Sequence, residues 1–169
     1  RPNAEIFKTI FGLLRDSDQQ VRSNAAAGIA KLEKCWSLPT SLTWIRSSVK
    51  SGDRLEATVS ALVLLSQSPE DAKLALDALT RLYARPINAK KDGNDLKRAP
   101  QDDALESLGQ GFSVAYLRSI PHILSVLAEK ESDRTPTAML VLAAALSIEK
   151  PSSSHDHNVK EAVKMILPS

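Results

Sequence analysis

The chain has 169 residues, a length that suits one domain with a hydrophobic core. Ala and Leu dominate its apolar 43% and aromatic residues supply only 4%, a balance that favours close-packed helices over β-sheets. The net charge of +2 argues against a domain that its overall field would draw to nucleic acid or to an anionic membrane.

The first two predicted helices are joined by a short acidic turn. Apolar residues recur with the helical period over residues 4–15 and again over residues 19–34. Between them, Asp16, Ser17 and Asp18 can accept hydrogen bonds from the free N–H groups at the start of the second helix. Because the connection is so short, we expect the two helices to run antiparallel as a hairpin.

A second hairpin follows the first. Pro39 begins a third helix, which ends before Gly52. Asp53, with Glu56 three residues later, then resembles a capping box that begins a fourth helix over residues 54–67.

The predicted fifth helix precedes a long interruption. Ser68 as the N-cap and Pro69 in the first turn predict a helix that ends near Ala84. From residue 86 to residue 100 the apolar period is lost among Asn, Lys, Asp and Gly residues, which predicts an internal loop. A loop of this length within a helical array is often functional.

Four further helices are predicted beyond this loop, which brings the total to about nine. They cover residues 101–108, 114–130, 135–149 and 158–167. Pro121 is expected to kink the second of these four or to mark its true start. No stretch alternates apolar and polar residues as a half-buried strand would, so the predicted fold class is all-α.

The predicted hairpins are similar in sequence to one another. Each copy has an apolar helix, a turn that contains Asp, and a second helix that begins with Arg and is rich in Ala. The three copies are residues 10–32, 45–64 and 120–142. A hairpin alone cannot bury both of its apolar faces, so such copies are expected to stack.

These copies resemble HEAT repeats of the HEAT and armadillo superfamily over about two thirds of the chain. The resemblance implies a right-handed α-solenoid of stacked antiparallel helical hairpins that forms a single domain over residues 1–169. In the family, the turn Asp bonds backbone amides, and an Arg on the second helix pairs with an acidic group of the same or the next repeat. The residues that match these roles are Asp16 or Asp18 for the turn and Arg22, Arg54 and Arg134 for the ladder. Residues 69–110 depart from the pattern.

The resemblance also implies a binding surface on the second helices of the hairpins. At helical spacing this surface carries Asn24, Lys31, Glu56, Ser60 and Gln67. We call it the second-helix strip, and by fold analogy it predicts a non-enzymatic scaffold or adaptor that binds a protein partner. Two alternatives are a HEAT-like nucleic-acid-binding protein or glycosylase, and a purely structural spacer within a larger solenoid.

Residues that could carry chemistry are few. His155 and His157 stand one residue apart in a Ser-rich turn without further ligands nearby, so we interpret them as a solvated helix start. Gly109 and Gly111 follow no predicted strand, which argues against a phosphate-binding loop. Cys35 has no His near it in sequence and is predicted to be a buried structural thiol. The sequence therefore predicts no catalytic, metal or cofactor site.

Two other groups of residues have simple structural interpretations. Trp36 and Trp44 flank the connection between the first two hairpins and are predicted to pack between them. His122 is predicted on a helix surface. The main basic cluster lies in the internal loop and is interpreted as solvated, with a localisation signal or a contact to an acidic surface as the alternative. It consists of Lys90, Lys91, Lys97 and Arg98.

The remaining expectations concern location. A single cysteine excludes an internal disulfide and is compatible with a reducing compartment. The longest apolar run, residues 138–146, is shorter than the ~18 to 20 residues that span a bilayer. The chain begins without the residue succession of a signal peptide, and it reads as a piece of a longer protein. We therefore expect an intracellular location, in the cytoplasm or the nucleus.

Overall fold

A computed structural model of the chain describes residues 3–50, 53–83, 111–129 and 132–148. Within these ranges every regular element is helical, which confirms the predicted all-α class. The elements are α1 (Ala4–Gly12), the 3₁₀ turn η1 (Leu13–Arg15), α2 (Gln19–Lys31), α3 (Glu33–Trp36), α4 (Pro39–Ser48), α5 (Arg54–Leu64), α6 (Pro69–Tyr83), α7 (Ser113–Leu127) and α8 (Thr135–Ile148). The predicted loop at 86–100 and the predicted helices at 101–108 and 158–167 lie outside the described residues.

The acidic turn before α2 forms as the sequence predicts. The Asp16 carboxylate accepts a hydrogen bond from the backbone N–H of Asp18 at 2.8 Å. The Asp18 carboxylate in turn accepts one from the N–H of Gln20 at 2.7 Å, in the first turn of α2. Both carboxylates therefore satisfy backbone donors that the start of a helix leaves without partners.

The starts of α5 and α6 also lie where the sequence predicts them. Asp53 caps α5 by accepting a hydrogen bond from the N–H of Glu56 at 2.9 Å. Ser68 Oγ caps α6 by accepting one from the N–H of Asp71 at 3.1 Å. In both cases an acidic residue occupies the third position of the helix, where its charge is favourable to the helix dipole.

One helix differs from the prediction, and the structure decides between two alternatives for another. The expected single helix over 19–34 is interrupted at Leu32, whose ψ of 35° departs from the helical range, and the chain resumes as the short α3. Of the two alternatives for Pro121, the structure places it inside the helix and not at its start, because α7 begins at Ser113. Packing of α7 against its neighbours holds this helix together across a residue that local propensity disfavours.

Helix α5 is the centre of the structure. Every residue from Glu56 to Leu65 is buried, including the polar ones. Helices α4, α6 and α7 pack against α5, and η1 contacts its first turn. One continuous cluster of buried apolar residues extends from Phe7 on α1 to Ala145 on α8.

Arg54 shows how α5 and α6 are arranged. Its Nη2 donates to the carbonyl oxygen of Leu82 at 2.9 Å, and its guanidinium lies 4.6 Å from the centre of the Tyr83 ring. Because Arg54 begins α5 and the other two residues end α6, the two helices run antiparallel.

The outer face of α8 is apolar. This helix has no charged residue, and Leu140 is 69% exposed while the next residue, Val141, is buried. Among the described residues, no helix has both the length and the apolar character to cross a membrane.

Ion pairs join α6 to three of its neighbours. They connect Arg46 Nε to Asp71 Oδ1 at 2.8 Å, Lys73 Nζ to Glu129 Oε1 at 2.6 Å, and Arg134 Nε to Asp77 Oδ1 at 2.6 Å. The first is the most enclosed on its acidic side, because the Asp71 side chain is only 7% exposed. Hydrogen bonding from Arg46 lowers the pKa of Asp71 below its ordinary value of 3.8; burial opposes this shift and Ser68 adds to it.

Asp71→Asn is expected to lower the free energy of unfolding by about 1 to 2 kcal/mol at neutral pH, because the half-exposed Arg46 loses a charged acceptor. The folded-state pKa of Asp71 lies below the unfolded one, so its contribution is complete above pH 3.8 and is lost as the pH falls through the folded value. The difference between wild type and variant should therefore stay constant from neutral pH down to about pH 4 and shrink as the pH falls further, measured by urea unfolding.

The matched control for this prediction is Asp77→Asn. Asp77 is 52% exposed and pairs with Arg134, so solvent already screens its charge. We expect a smaller loss of stability than at Asp71. An equal loss in the two variants, or a difference at Asp71 that does not change with pH, would contradict the role given to that carboxylate.

Candidate partner-binding groove

The structure does not form the predicted second-helix strip as an exposed surface. Asn24 and Lys31 are exposed on α2, and Gln67 is half-buried after α5. Glu56 is only 2% exposed and Ser60 is 0% exposed, so the prediction that these two face solvent is wrong. Helices α4, α6 and α7 pack on α5 and η1 contacts its start, so α5 is enclosed where a simple two-layer array would leave it open to solvent.

Two of the predicted ladder arginines bind backbone rather than acidic groups. Arg22 Nη1 donates to the carbonyl oxygens of Asp16 at 2.7 Å and Ser17 at 3.1 Å. Arg54 donates to the carbonyl oxygen of Leu82. Each arginine links its helix to the end of a neighbouring helical element. The backbone carbonyl groups there carry a partial negative charge and are bound in place of the expected carboxylates.

Other arginines connect elements that are distant in sequence. Arg134 has an acidic partner, as the sequence predicts, and binds Asp77 through Nε and Nη2 at 2.6 Å and 3.1 Å. Arg15 binds Glu56 through the same two nitrogens, a pair that sequence reasoning missed. The sequence signal that could have pointed to Glu56 is the capping box, because it places this acidic residue in the first turn of the fourth predicted helix.

An open groove of about 230 Å³ lies where α1 and η1 meet α4 and the start of α5. We call it the α1–α4 groove. Its lining residues are Lys8, Phe11, Gly12, Arg15, Trp44, Ser47, Ser48 and Glu56. The volume is below the ~300 to 1,000 Å³ of typical small-molecule sites, and it suits one or two side chains of a larger partner.

The cationic part of the groove is built on Arg15. This side chain is 66% exposed, yet its Nη2 donates to Glu56 Oε1 at 2.8 Å and its Nε donates to Glu56 Oε2. The hydrogen bonds and the charge of Glu56 raise the pKa of Arg15 above its ordinary value. The contact uses one edge of the guanidinium and leaves Nη1, on the opposite edge, for another acceptor.

Lys8 and Trp44 form the other wall of the groove. The Lys8 ammonium lies 5.2 Å from the centre of the Trp44 ring, a cation–π distance. Trp44 is half-buried, while Phe11 beside it is 7% exposed. Gly12 also lines the groove, and a Cβ added to it would meet no atom within 4 Å apart from its chain neighbours and the backbone of its own helix. The groove thus combines a cation, an aromatic face and empty space.

The remaining sequence-predicted residues lie away from this groove. Cys35 is buried, as predicted, with its Sγ 3.8 Å from the carbonyl oxygen of Asn3. Trp36 is buried, but its ring stacks on Phe112 at the start of α7, and Trp44 lines the groove, so of the predicted packing between the first two hairpins the structure shows only that Trp36 is buried. His122 is half-buried on α7.

The other predicted candidates for chemistry are less informative. Gly111 lies beside Ala30 near the start of α7. Gly109, His155, His157 and the basic residues between 90 and 98 fall outside the described residues. In the ranges that are described, no group of three or more His, Cys, Asp or Glu side chains could hold a metal ion.

Comparisons with known proteins identify no relative. A scan against protein-family models found no match, and neither a search of curated proteins nor a search of solved structures found a significant one. The fold therefore defines the class, an all-α protein with an open groove between two helices. Membership of the HEAT and armadillo superfamily stays a prediction.

Proposed function

We propose that this chain is a non-enzymatic helical-repeat scaffold of the HEAT and armadillo type, a right-handed solenoid segment that binds a protein partner. The antiparallel pair α5 and α6 supports the repeat architecture, as do the side chains that link separate hairpins. Arg15 and Glu56 connect the first hairpin to the second, and Arg46 and Asp71 connect the second to α6. Such links between successive units rigidify a stacked array.

The α1–α4 groove is the binding site in this proposal. The groove supports the proposal because it places the charged side chains of Lys8 and Arg15, the aromatic ring of Trp44 and the open space at Gly12 next to one another. Trp44 supplies apolar area at little conformational cost, and aromatic and Arg side chains dominate the energetics of protein interfaces. The second-helix strip offers less, because two of its five residues are buried.

Phage-displayed random peptides selected on the wild-type chain provide the test. Gly12→Leu should weaken their binding by roughly tenfold or more, because the new side chain extends into open space and fills the groove without a clash. Trp44→Ala should act in the same direction by removing the aromatic wall. Circular dichroism and urea unfolding of each variant show that the fold persists.

Lys31→Glu is the matched control, since it reverses a charge on the exposed surface of α2 outside the groove. We expect this variant to keep its affinity for the selected peptides. Peptides that lose affinity for Lys31→Glu but keep it for Gly12→Leu would place binding on the second-helix strip instead. A selection that enriches no peptide would contradict protein binding and favour the structural spacer.

A further inference from the structure

The α1–α4 groove presents positive charge to solvent. Lys8 is exposed and Arg15 is 66% exposed, whereas the carboxylate in the groove, Glu56, is 2% exposed and already bound. A partner that enters the groove therefore meets two cations first. Charge complementarity favours an anionic group on that partner.

The Arg15 guanidinium is already oriented before a ligand binds. Its two bonds to Glu56 fix the plane of the guanidinium, so little conformational freedom remains to be lost when a ligand binds. A ligand anion cannot take the place of Glu56, because a buried carboxylate without a partner is costly. The anion must instead use Nη1 of Arg15 and the ammonium of Lys8.

The rest of the groove has an apolar part beside the hydroxyl side chains of Ser47 and Ser48. Phe11 and the ring of Trp44 line it, and the space above Gly12 is empty. This space is of the size of a Leu, Ile or Phe side chain rather than of a longer segment. An anionic group and an apolar side chain are thus accommodated next to each other.

Resting on the scaffold function above, we propose that the α1–α4 groove selects a protein segment with a carboxylate next to a large apolar side chain. Lys8 and Arg15 bind the carboxylate, and Trp44 with Phe11 receives the apolar side chain. Glu56 is a positioning residue: it does not touch the partner but fixes Arg15.

A protein carboxylate fits better than a run of phosphates. Nucleic-acid binding without base contacts needs many cations along a track, and its strength depends on their number. Here two cations face solvent, and the charges of Glu56 and Asp53 act on one of them, Arg15. The positive charge of the groove therefore suits a single carboxylate.

The test uses rhodamine-labelled hexapeptides of alternating Leu and Glu, with Leu–Gln and Leu–Lys peptides of equal length. Fluorescence anisotropy should show that the Leu–Glu peptide binds roughly tenfold more tightly than the Leu–Gln peptide, as expected for charge-assisted hydrogen bonds. The difference should diminish as salt is added. Lys8→Gln and Arg15→Gln should each reduce it, while Lys31→Gln on α2 should not.

Glu56→Gln separates positioning from simple charge. Removal of a negative charge beside the groove strengthens anion binding if Glu56 acts only through its field. If Glu56 fixes Arg15, the same variant weakens binding, because the guanidinium is no longer held. We expect weaker binding, by roughly threefold to tenfold.

Arg15→Lys provides a second variant that does not depend on how well Glu56→Gln folds. It keeps the positive charge but lacks the fork that binds Glu56 through two nitrogens. We expect it to weaken binding of the Leu–Glu peptide about as much as Glu56→Gln does. Full affinity in Arg15→Lys would overturn the positioning role.

The remaining outcomes are distinct. Equal affinity for the Leu–Glu and Leu–Gln peptides would overturn carboxylate selection, and if the phage-selected peptides still responded to Gly12→Leu, the scaffold function would stand. Tighter binding of a labelled oligothymidylate, with the same dependence on Lys8 and Arg15, would overturn the proposal in favour of a nucleic acid. If, in addition to equal affinity for the Leu–Glu and Leu–Gln peptides, Gly12→Leu had no effect on the phage-selected peptides, the scaffold function would be overturned as well.

Discussion

Replacing Trp36 by Ala is expected to lower the free energy of unfolding by about 3 to 5 kcal/mol. Trp36 is 1% exposed, its ring stacks on Phe112 with 5.9 Å between the ring centres, and its Nε1 donates to the carbonyl oxygen of Ile29 at 2.9 Å. The variant leaves a cavity between α3 and the start of α7 and removes one of the two hydrogen bonds that the Ile29 carbonyl oxygen accepts; the other, from the N–H of Leu32 at 3.0 Å, remains. Urea unfolding followed by circular dichroism measures the loss.

Trp44→Ala is the matched control for Trp36→Ala. Trp44 lies in the open groove and is only half-buried, so its removal should cost less than half as much stability. Trp36→Phe should fall between wild type and Trp36→Ala, because it keeps an aromatic ring to stack on Phe112 but loses the hydrogen bond. Equal losses at the two Trp positions would contradict the role of Trp36 in joining α3 to α7.

Truncation of Leu62 to Ala is expected to cost about 2 to 5 kcal/mol of stability. Leu62 is 0% exposed in the middle of α5, a helix that α4, α6 and α7 contact, so the surrounding side chains cannot easily collapse into the space that it leaves. The reversible urea transition should move to a lower midpoint. Leu140→Ala, at a position that is 69% exposed on α8, should change stability by less than about 1 kcal/mol.

Ser60→Lys tests the enclosure of α5 from its polar side. In an array whose second helices face solvent, as the sequence predicts, a Lys at this position would be tolerated. In the structure Ser60 is 0% exposed, so the variant forces an ammonium group into the core and should cost about 4 kcal/mol or more. A variant as stable as the wild type would show that the polar face of α5 is open.

The sequence predicts the helix starts well because the signals are local. Asp18, Asp53 and Ser68 each cap a helix within three residues of their own position. Such bonds form wherever the backbone turns into a helix, whatever packs around it. The break at Leu32 is not predicted, because no Gly or Pro stands there to announce it.

The candidate site is predicted less well. The periodicity of the fourth predicted helix predicts that Glu56 and Ser60 face solvent. Their burial depends on which other helices pack against α5, and one of these, α7, is separated from α5 by about fifty residues of sequence. Likewise, no local pattern pairs Arg15 with a residue 41 positions away. The groove lies where that pair links η1 to α5 and the contact of Lys8 with Trp44 links α1 to α4.

The order of the amino acids is enough to establish the all-α class, most helix boundaries and the buried apolar seam, because period, caps and composition act within one turn or one helix. The packing of the folded chain was needed to show that α5 is enclosed on all sides and that an open cationic groove lies between α1 and α4. The physical reason is that burial and ion pairing between distant helices follow from how whole helices pack, and the pattern of any single helix fits several packings.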